Sequence, residues 1–454
     1  MKKAVIHPSS LSGQITVPPS KSAAHRNIIC AALASGTSRI YPECHSDDID
    51  ATLSAVQKLG AKAEIKNGAF YITGIGKTAT ETGDNNLSNG ENKYTNSESK
   101  SANDESKSTN SVNNSTNCII DCNESGSTLR FMLPVAAALG VQAEFNGSGR
   151  LPNRPISPIT EVLRQNGVFV SADSIPLNIS GKLKNINFEI SGDISSQYLT
   201  GLLLALPLIG GGKIKLTTPL QSAGYVDLTI KIMNDFGVTV TKSDNVYIVS
   251  GEYKARQQKI EGDWSQACFF MAAGAMGANI TLNGLDNFSV QGDRQTVEIF
   301  RQLGADITLT PDGIIIKKGE SSPVKIDCSQ IPDAVPALAA AAVFSNGKTE
   351  IYGAERLRIK ESDRIKTTVA ALKAMGVCVT ENEDGLTVEK SLPKSGIIDG
   401  ANDHRIVMAF SILAAFSSGK TEISYAEAVK KSYPEFFKDY KKMGGKADVI
   451  SMGE

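Results

Sequence analysis

Six glycines constrain this chain more than any other feature. Gly60, Gly167, Gly237, Gly304, Gly376 and Gly444 each close a helix-like run, in pairs such as Lys58-Leu59 or Asp235-Phe236. Each is followed by a stretch that reads as strand, turn and strand, as in Val238-Thr239-Val240-Thr241 or Asp306-Ile307-Thr308-Leu309. Their spacings are 107, 70, 67, 72 and 68 residues. The long first gap contains an Asn/Ser-rich stretch, about 83–117, whose removal brings that gap to about 70 as well. Self-similarity at a fixed period marks one supersecondary unit repeated along the chain. Glycine suits the left-handed turn after a helix, and alternation is the mark of a half-buried strand.

A second helix recurs in every unit. Ala136-Ala137-Ala138-Leu139, Leu202-Leu203-Leu204-Ala205-Leu206 and Ala339-Ala340-Ala341-Ala342 are apolar all round. Such helices are interior. Each unit therefore holds one buried helix, one amphipathic helix and about four strands. Six copies give an α/β (α+β) protein in which sheets and amphipathic helices wrap the buried helices.

The starts of the buried helices carry more polar chemistry than a helix needs. They read Ser20-Lys21-Ser22, Asn123 to Arg130, Gly192 to Gln197, Gly262 to Gln266, Ile331-Pro332-Asp333 and Asn402-Asp403-His404-Arg405. Capping explains one Ser or Asp in each. It leaves Lys21, Arg26, Arg130, Gln197, His404 and Arg405 unexplained. If the buried helices are parallel, their positive ends collect on one side and form a strong anion site. Net charge is −1, so anion affinity must come from this local placement and not from a global field. Three further clusters stand out. Glu355 to Lys366 is expected to be helical, with Lys360 and Arg364 on one face and Glu361 beside them. Arg154 lies in Gly149 to Ile156, and Lys431 in Val429 to Pro434.

Other classes are disfavoured. The charge balance gives no basic footprint for nucleic acid. The longest apolar runs, such as Leu202 to Leu208, are too short for a bilayer, and the N-terminus lacks a signal-peptide core. Seven scattered cysteines point to free thiols in a reducing cytoplasm. Four histidines and the lone pair Cys118 and Cys122 make a metal centre unexpected. The Asn/Ser-rich stretch, with Asn-x-Ser/Thr triplets at Asn96, Asn110 and Asn114, reads as a disordered surface insertion. His25 is expected to pack, His7 and His45 to lie on the surface, and Trp264 to pack at a domain boundary.

Eight segments, PPSKSAAHR, ESGSTLR, LPNRPI, SSQYLTGLLLA, IPDAVPALA, RIKESDRI, NDHRIVMA and KKSYPEFF, span nearly the whole chain. In this order they resemble the motifs of the 5-enolpyruvylshikimate-3-phosphate synthase family. The resemblance implies a two-domain inverse α/β barrel, each domain three βαβαββ units around buried parallel helices. Residues 20–260 would form one domain, and 1–19 with 261–454 the other, with crossings near Pro18-Pro19 and Lys259 to Glu261. It implies two anionic substrates, shikimate-3-phosphate and phosphoenolpyruvate, no metal or organic cofactor, no nucleic-acid or membrane partner, and a cytoplasmic monomer.

Matched residue by residue, Lys21, Ser22, Arg26, Ser195, Ser196, Gln197, Ser222, Asp333 and Lys360 would hold shikimate-3-phosphate. Lys21, Gly126, Arg154, Gln197, Arg364, Arg405 and Lys431 would hold phosphoenolpyruvate. The implied reaction is addition followed by elimination. Glu361 would handle the C3 proton, Asp333 and Lys21 the hydroxyl and the leaving phosphate, and His404 would orient Glu361. Two departures stand out. Arg356 replaces a frequent Asn, which puts one sugar-phosphate contact in question. Phe131 replaces a Pro and is expected to affect the helix start. Gly126, the glycine that gives glyphosate its room in sensitive members, is kept. Two alternatives remain open at this level: the sister transferase acting on UDP-N-acetylglucosamine, which typically needs a reactive loop Cys, and a non-catalytic anion-binding scaffold.

Overall fold

A computed structural model describes residues 1–76 and 118–452, so the Asn/Ser-rich stretch and its three triplets lie outside the described residues. The strands form six four-stranded sheets. One unit shows the plan. Cys118–Asp121 runs parallel to Ala143–Asn146, which pairs antiparallel with Leu177–Ser180, itself antiparallel to Phe169–Val170. Parallel neighbours need a crossover; the helix Gly126–Leu139 provides it, and Ser157–Gln165 makes the second connection. This is the βαβαββ unit that the family resemblance implies, with the two helices and four strands expected from the repeat. The six repeat glycines all have positive φ, between 71° and 108°, a region where a Cβ would be strained.

Three units are completed by distant chain. Gln257–Lys259 lies parallel to Thr37–Tyr41, with Gln257 opposite Arg39, so the first unit ends after the third has been built. Ser12–Thr16 pairs parallel with Asn279–Asn283. Lys2–His7 sits between Thr421–Ser424 and Lys446–Ser451. Apolar side chains gather in two cores. One draws on residues from Ala23 to Ile260, the other on Ala4 to Val17 and Trp264 to Ala447. Where the chain passes between them, Ser20 N–H donates to the Glu261 carbonyl (2.8 Å) and Asp263 N–H to the Pro18 carbonyl (2.9 Å).

The buried helices are Lys21–Leu33, Gly126–Leu139, Ser196–Ala205, Trp264–Met276, Val335–Ala342 and His404–Ala415. Five have side-chain caps: Ser20, Ser125, Ser195, Asp263 and Asp403 each accept a bond from an N–H of the first turn. The fifth helix in chain order differs. It is approached through the 3-10 turn Pro332–Ala334 and has no side-chain cap, which leaves the Asp333 carboxylate free for other partners.

The segment from Glu355 to Lys366 corrects the helical expectation. Glu355–Ile359 is a 3-10 turn, Lys360 is extended (φ −87°, ψ −157°), and a new helix spans Arg364–Ala374. Asp363 caps that helix by accepting the Lys366 N–H, an interaction that a continuous helix would forbid. Arg358 stabilises the break by donating to Asp363 and Glu381. Phe131 leaves the helix start at Gly126 and packs in the core. Trp264 is fully buried, and His25 is buried with Nδ1 2.7 Å from the Thr52 hydroxyl. Cys30, Cys122, Cys268 and Cys328 are buried, whereas Cys378 is exposed.

Candidate active site

The N-terminal turns of five buried helices, and the 3-10 turn that precedes the fifth in chain order, converge on one cavity. Its lining carries eight Lys and Arg side chains against four carboxylates, which makes it strongly cationic within a chain of net charge −1.

The first wall comes from residues 21–225. Arg26 is buried, with Nε donating to the Thr229 hydroxyl (2.7 Å), Nη1 to the Ser22 carbonyl (2.7 Å) and Nη2 to the Tyr225 carbonyl (3.0 Å). Its guanidinium also lies 5.1 Å from the Phe131 ring centroid. Arg130 donates to the Gly126 and Pro155 carbonyls and to Gln197 Oε1. Neither arginine touches a carboxylate in these bonds, so their charge is left for an incoming anion. Burial pulls both guanidinium pKa values down to about 10, still far above neutrality. Lys21 is set differently: Nζ meets Asp48 Oδ2 at 2.7 Å, while its backbone N–H donates to Asp263 Oδ2 (3.0 Å) across the crossing. Ser195 caps its helix, Ser196 opens it, and Gln197 bonds Ser127 and Arg130.

The second wall comes from residues 263–405 and is built on ion pairs. Arg364, 1% exposed, donates from Nε to Asp403 (2.7 Å), from Nη1 to Asp333 (2.9 Å) and from Nη2 to Glu361 (2.6 Å). Arg405 Nη2 donates to Asp333 Oδ2 (3.1 Å), and Lys360 Nζ lies 3.8 Å from Asp333 Oδ1. Burial alone would raise the Asp333 carboxyl, but Arg405, Lys360 and Arg364 outweigh it and hold it well below the usual range. Burial likewise opposes ionisation of Glu361, and Arg364 and Arg154 overcome it. Burial brings Lys360 down to about 8. His404 is neutral, its pKa forced well down by burial and by Lys21, Arg405 and Arg364.

The walls meet through charge-assisted bonds. Arg154 Nη1 donates to Glu361 Oε1 (3.2 Å), and Arg356 Nη2 donates to the Ser222 hydroxyl (3.0 Å) and the Ser329 carbonyl (2.7 Å). The Tyr225 hydroxyl is within reach of both Asp293 and Asp333. Cations on one wall and ionised carboxylates on the other can grip two anions and move protons between them.

The sequence profile of EPSP synthase (3-phosphoshikimate 1-carboxyvinyltransferase) matches residues 5–92 and 88–440. The chain belongs to the EPSP synthase family. A 3-phosphoshikimate 1-carboxyvinyltransferase of Clostridium kluyveri is 42% identical over 464 residues, covering all of both chains. One from Clostridioides difficile is 39% identical and covers 99% of each. A solved structure of EPSP synthase from Acinetobacter baumannii superposes with a TM-score of 0.78 at 27% identity, covering 99% of this chain and 100% of the other.

Of the residues assigned by the family resemblance, Lys21, Ser22, Arg26, Gly126, Arg154, Ser195, Ser196, Gln197, Ser222, Asp333, Lys360, Glu361, Arg364, His404 and Arg405 all line the cavity. Lys431 does not. It is buried behind the lining, with Nζ donating to Glu124 Oε2 (2.9 Å) and the Asn402 carbonyl (2.7 Å). Nor does His404 orient Glu361 through a hydrogen bond, because both of its ring nitrogens are buried without a partner; Arg364 and Arg154 orient that carboxylate instead. Arg356 lines the cavity in the place of the frequent Asn. The substrate assignment from the resemblance left out Asp48, Arg130, Tyr225, Asp263, Ser265 and Gln266, although Arg130 stood out among the cations at the helix starts. Arg130, Ser265 and Gln266 carried a usable signal, being at the start of a buried helix. Asp48 and Tyr225 sit on other helices, and Asp263 looks like a plain cap.

Proposed function

We propose that the two walls divide the work of one reaction. The enzyme transfers the enolpyruvyl group of phosphoenolpyruvate to the 5-hydroxyl of shikimate-3-phosphate and releases phosphate, a step of aromatic amino acid biosynthesis. The first wall seats the substrates. Lys21, Ser22, Arg26, Ser195, Ser196, Gln197 and Ser222, with Lys360 opposite, hold shikimate-3-phosphate. Lys21, Gly126, Arg154 and Gln197, with Arg364 and Arg405, hold phosphoenolpyruvate. Lys431 would join them only by leaving Glu124.

The second wall moves protons. The sugar 5-hydroxyl attacks C2 of phosphoenolpyruvate as Asp333 takes the hydroxyl proton and Glu361 delivers a proton to C3. In the elimination, C3 returns its proton to Glu361, and the departing phosphate, stabilised by Lys21, leaves with the proton that Asp333 took from the hydroxyl. Arg364 keeps both carboxylates fixed. Asp333 enters each turnover ionised. Glu361, ionised in the free enzyme, takes up a proton as the substrates bind and regains it from C3 in the elimination. Electrostatic preorganisation of this kind removes reorganisation cost at the moment of reaction. The enzyme is placed in the cytoplasm as a monomer, with residues 20–260 and 1–19 plus 261–454 as its two domains. The two separate apolar cores support that division.

The observation that carries this reading is the joint placement of Arg154, Glu361, Arg364 and Asp333 at the meeting of the walls. The sister reaction on UDP-N-acetylglucosamine is disfavoured because no Cys lines the cavity among the described residues. Phosphate release is the test. It is expected with phosphoenolpyruvate and shikimate-3-phosphate, and release only with UDP-N-acetylglucosamine would overturn the assignment.

A further inference from the structure

One buried carboxyl beside the cavity has no part in that scheme. Asp293 lies on the 3-10 turn Gly292–Gln295 and is 3% exposed. Its Oδ2 accepts the Ser265 hydroxyl and lies 3.1 Å from the Tyr225 hydroxyl, while its Oδ1 is buried without a partner. The same Tyr225 hydroxyl lies 3.2 Å from Asp333 Oδ2. A phenol has a single proton to donate. Two ionised carboxylates at hydrogen-bond distance cannot both receive it, and the unserved contact sets two negative oxygens face to face. The triad is satisfied only when one carboxyl brings a proton of its own.

Asp333 is not that carboxyl, since Arg405, Lys360 and Arg364 hold it ionised. The groups facing Asp293 are the Tyr225 phenol, the Ser265 hydroxyl, the Asp333 and Asp263 carboxylates, the Cys268 and Cys328 thiols, and the Arg405 guanidinium. Burial first, then the Asp333 charge, pushes the Asp293 carboxyl up to about 6. Tyr225 is raised well above its usual range by burial and by both carboxylates, so the phenol keeps its proton.

We propose that Asp293 is a positioning residue that sets the basicity of Asp333 through the Tyr225 hydroxyl. Protonated, Asp293 donates to the Tyr225 oxygen, and the Tyr225 O–H turns to Asp333 and weakens it as a base. Ionised, Asp293 takes the Tyr225 O–H for itself, and Asp333 keeps its full basicity. The inference rests on the reading of Asp333 as the base.

Asp293→Asn separates the two states. Its carbonyl replaces the partnerless Oδ1 and its NH2 faces Tyr225, so it imitates the protonated acid at every pH. Turnover at saturating substrates is measured from pH 5 to 8 for the wild type, Asp293→Asn, Tyr225→Phe and the double variant. Substrate phosphates also ionise near pH 6, at about the same place in every variant, so the ratios carry the information. The wild-type to Asp293→Asn ratio is expected to be about one at pH 5 and to rise about fivefold by pH 8, as a base strengthened by part of a pKa unit would give. The corresponding ratio in the Tyr225→Phe background is expected to rise much less, keeping only the direct repulsion between the two carboxylates. A flat ratio in the Tyr225 enzyme, or a rise as large in the Phe background, overturns the proposal. If the wild type releases no phosphate at all, the reading of the site fails, and the Asp293 contact is decided by NMR of the free enzyme labelled with 13C at the aspartate carboxyls. A signal missing from Asp293→Asn that titrates near pH 6 and moves in Tyr225→Phe supports the triad. Titration in the ordinary aspartate range overturns it.

Discussion

The two walls hold equal numbers of cations, and their most buried arginines are partnered in opposite ways. The first lines the cavity with Lys21, Arg26, Arg130 and Arg154 against one carboxylate, Asp48. The second has Arg356, Lys360, Arg364 and Arg405 against Asp263, Asp333 and Glu361. Arg26 and Arg130 bond carbonyl, hydroxyl and amide oxygens, which orient a guanidinium without neutralising it. Arg364 is enclosed by three carboxylates. Counting cations would call both walls anion sites. Their partners separate a surface that grips from one that keeps carboxylates ionised for proton transfer.

The sharpest way to break this contrast is Glu361→Gln. If the second wall moves protons, turnover falls by about 10²–10⁴-fold while shikimate-3-phosphate still binds. Steady-state phosphate release and a binding isotherm check both halves, and loss of binding with little loss of turnover would reverse the roles of the walls. Arg26→Ala probes the gripping wall. Losing a charged hydrogen bond costs about 1.5–3 kcal/mol, so the shikimate-3-phosphate KM should rise by about 10–100-fold with a much smaller change in kcat.

Gly126→Ala tests how closely the first wall is fitted. A Cβ there would stand 2.5 Å from Arg130 Nη1 and 2.9 Å from both terminal nitrogens of Arg154. Those guanidinium ends must shift, and glyphosate competition against phosphoenolpyruvate should weaken. Equal inhibition of the two proteins would show that the glycine leaves no functional room.

The smallest effect concerns stability. The folded protein holds the Asp293 proton up to about pH 6, whereas an ordinary Asp releases it near 3.8. A carboxyl raised in this way binds more protons folded than unfolded, so its contribution weakens as pH rises through that window. Asp293→Asn lacks this dependence. Its melting temperature relative to the wild type should increase between pH 4 and 7 by an amount on the order of 2 °C, and a constant difference would contradict the shift.

Much of the fold was legible because its signals are local. A glycine beyond each helix and an apolar run inside each unit are set by neighbouring residues, and the positive φ at all six repeat glycines follows from that. The Lys, Ser and Arg at the helix starts were legible for the same reason. What was not legible arises where distant segments meet. Tyr225 gains its importance from Asp333, 108 residues on, and Asp263 from the Lys21 backbone, 242 residues back. The break at Lys360 was hidden because the charge spacing of a helix face and of a 3-10 turn followed by a new cap look alike over twelve residues. Capping chemistry at Ser362-Asp363 was the available sign.

The central claim is that the second wall, and Glu361 above all, handles the C3 proton, while the first wall holds the substrates and, through Lys21, the departing phosphate. The direct measurement is the reaction in D2O, with deuterium counted at C3 of the recovered phosphoenolpyruvate and product. The wild type and Arg26→Ala, each at saturating substrate, should place deuterium at C3, and Glu361→Gln should slow that incorporation by about 10²-fold or more. Deuterium entering as fast in Glu361→Gln as in the wild type would contradict the assignment of the two walls.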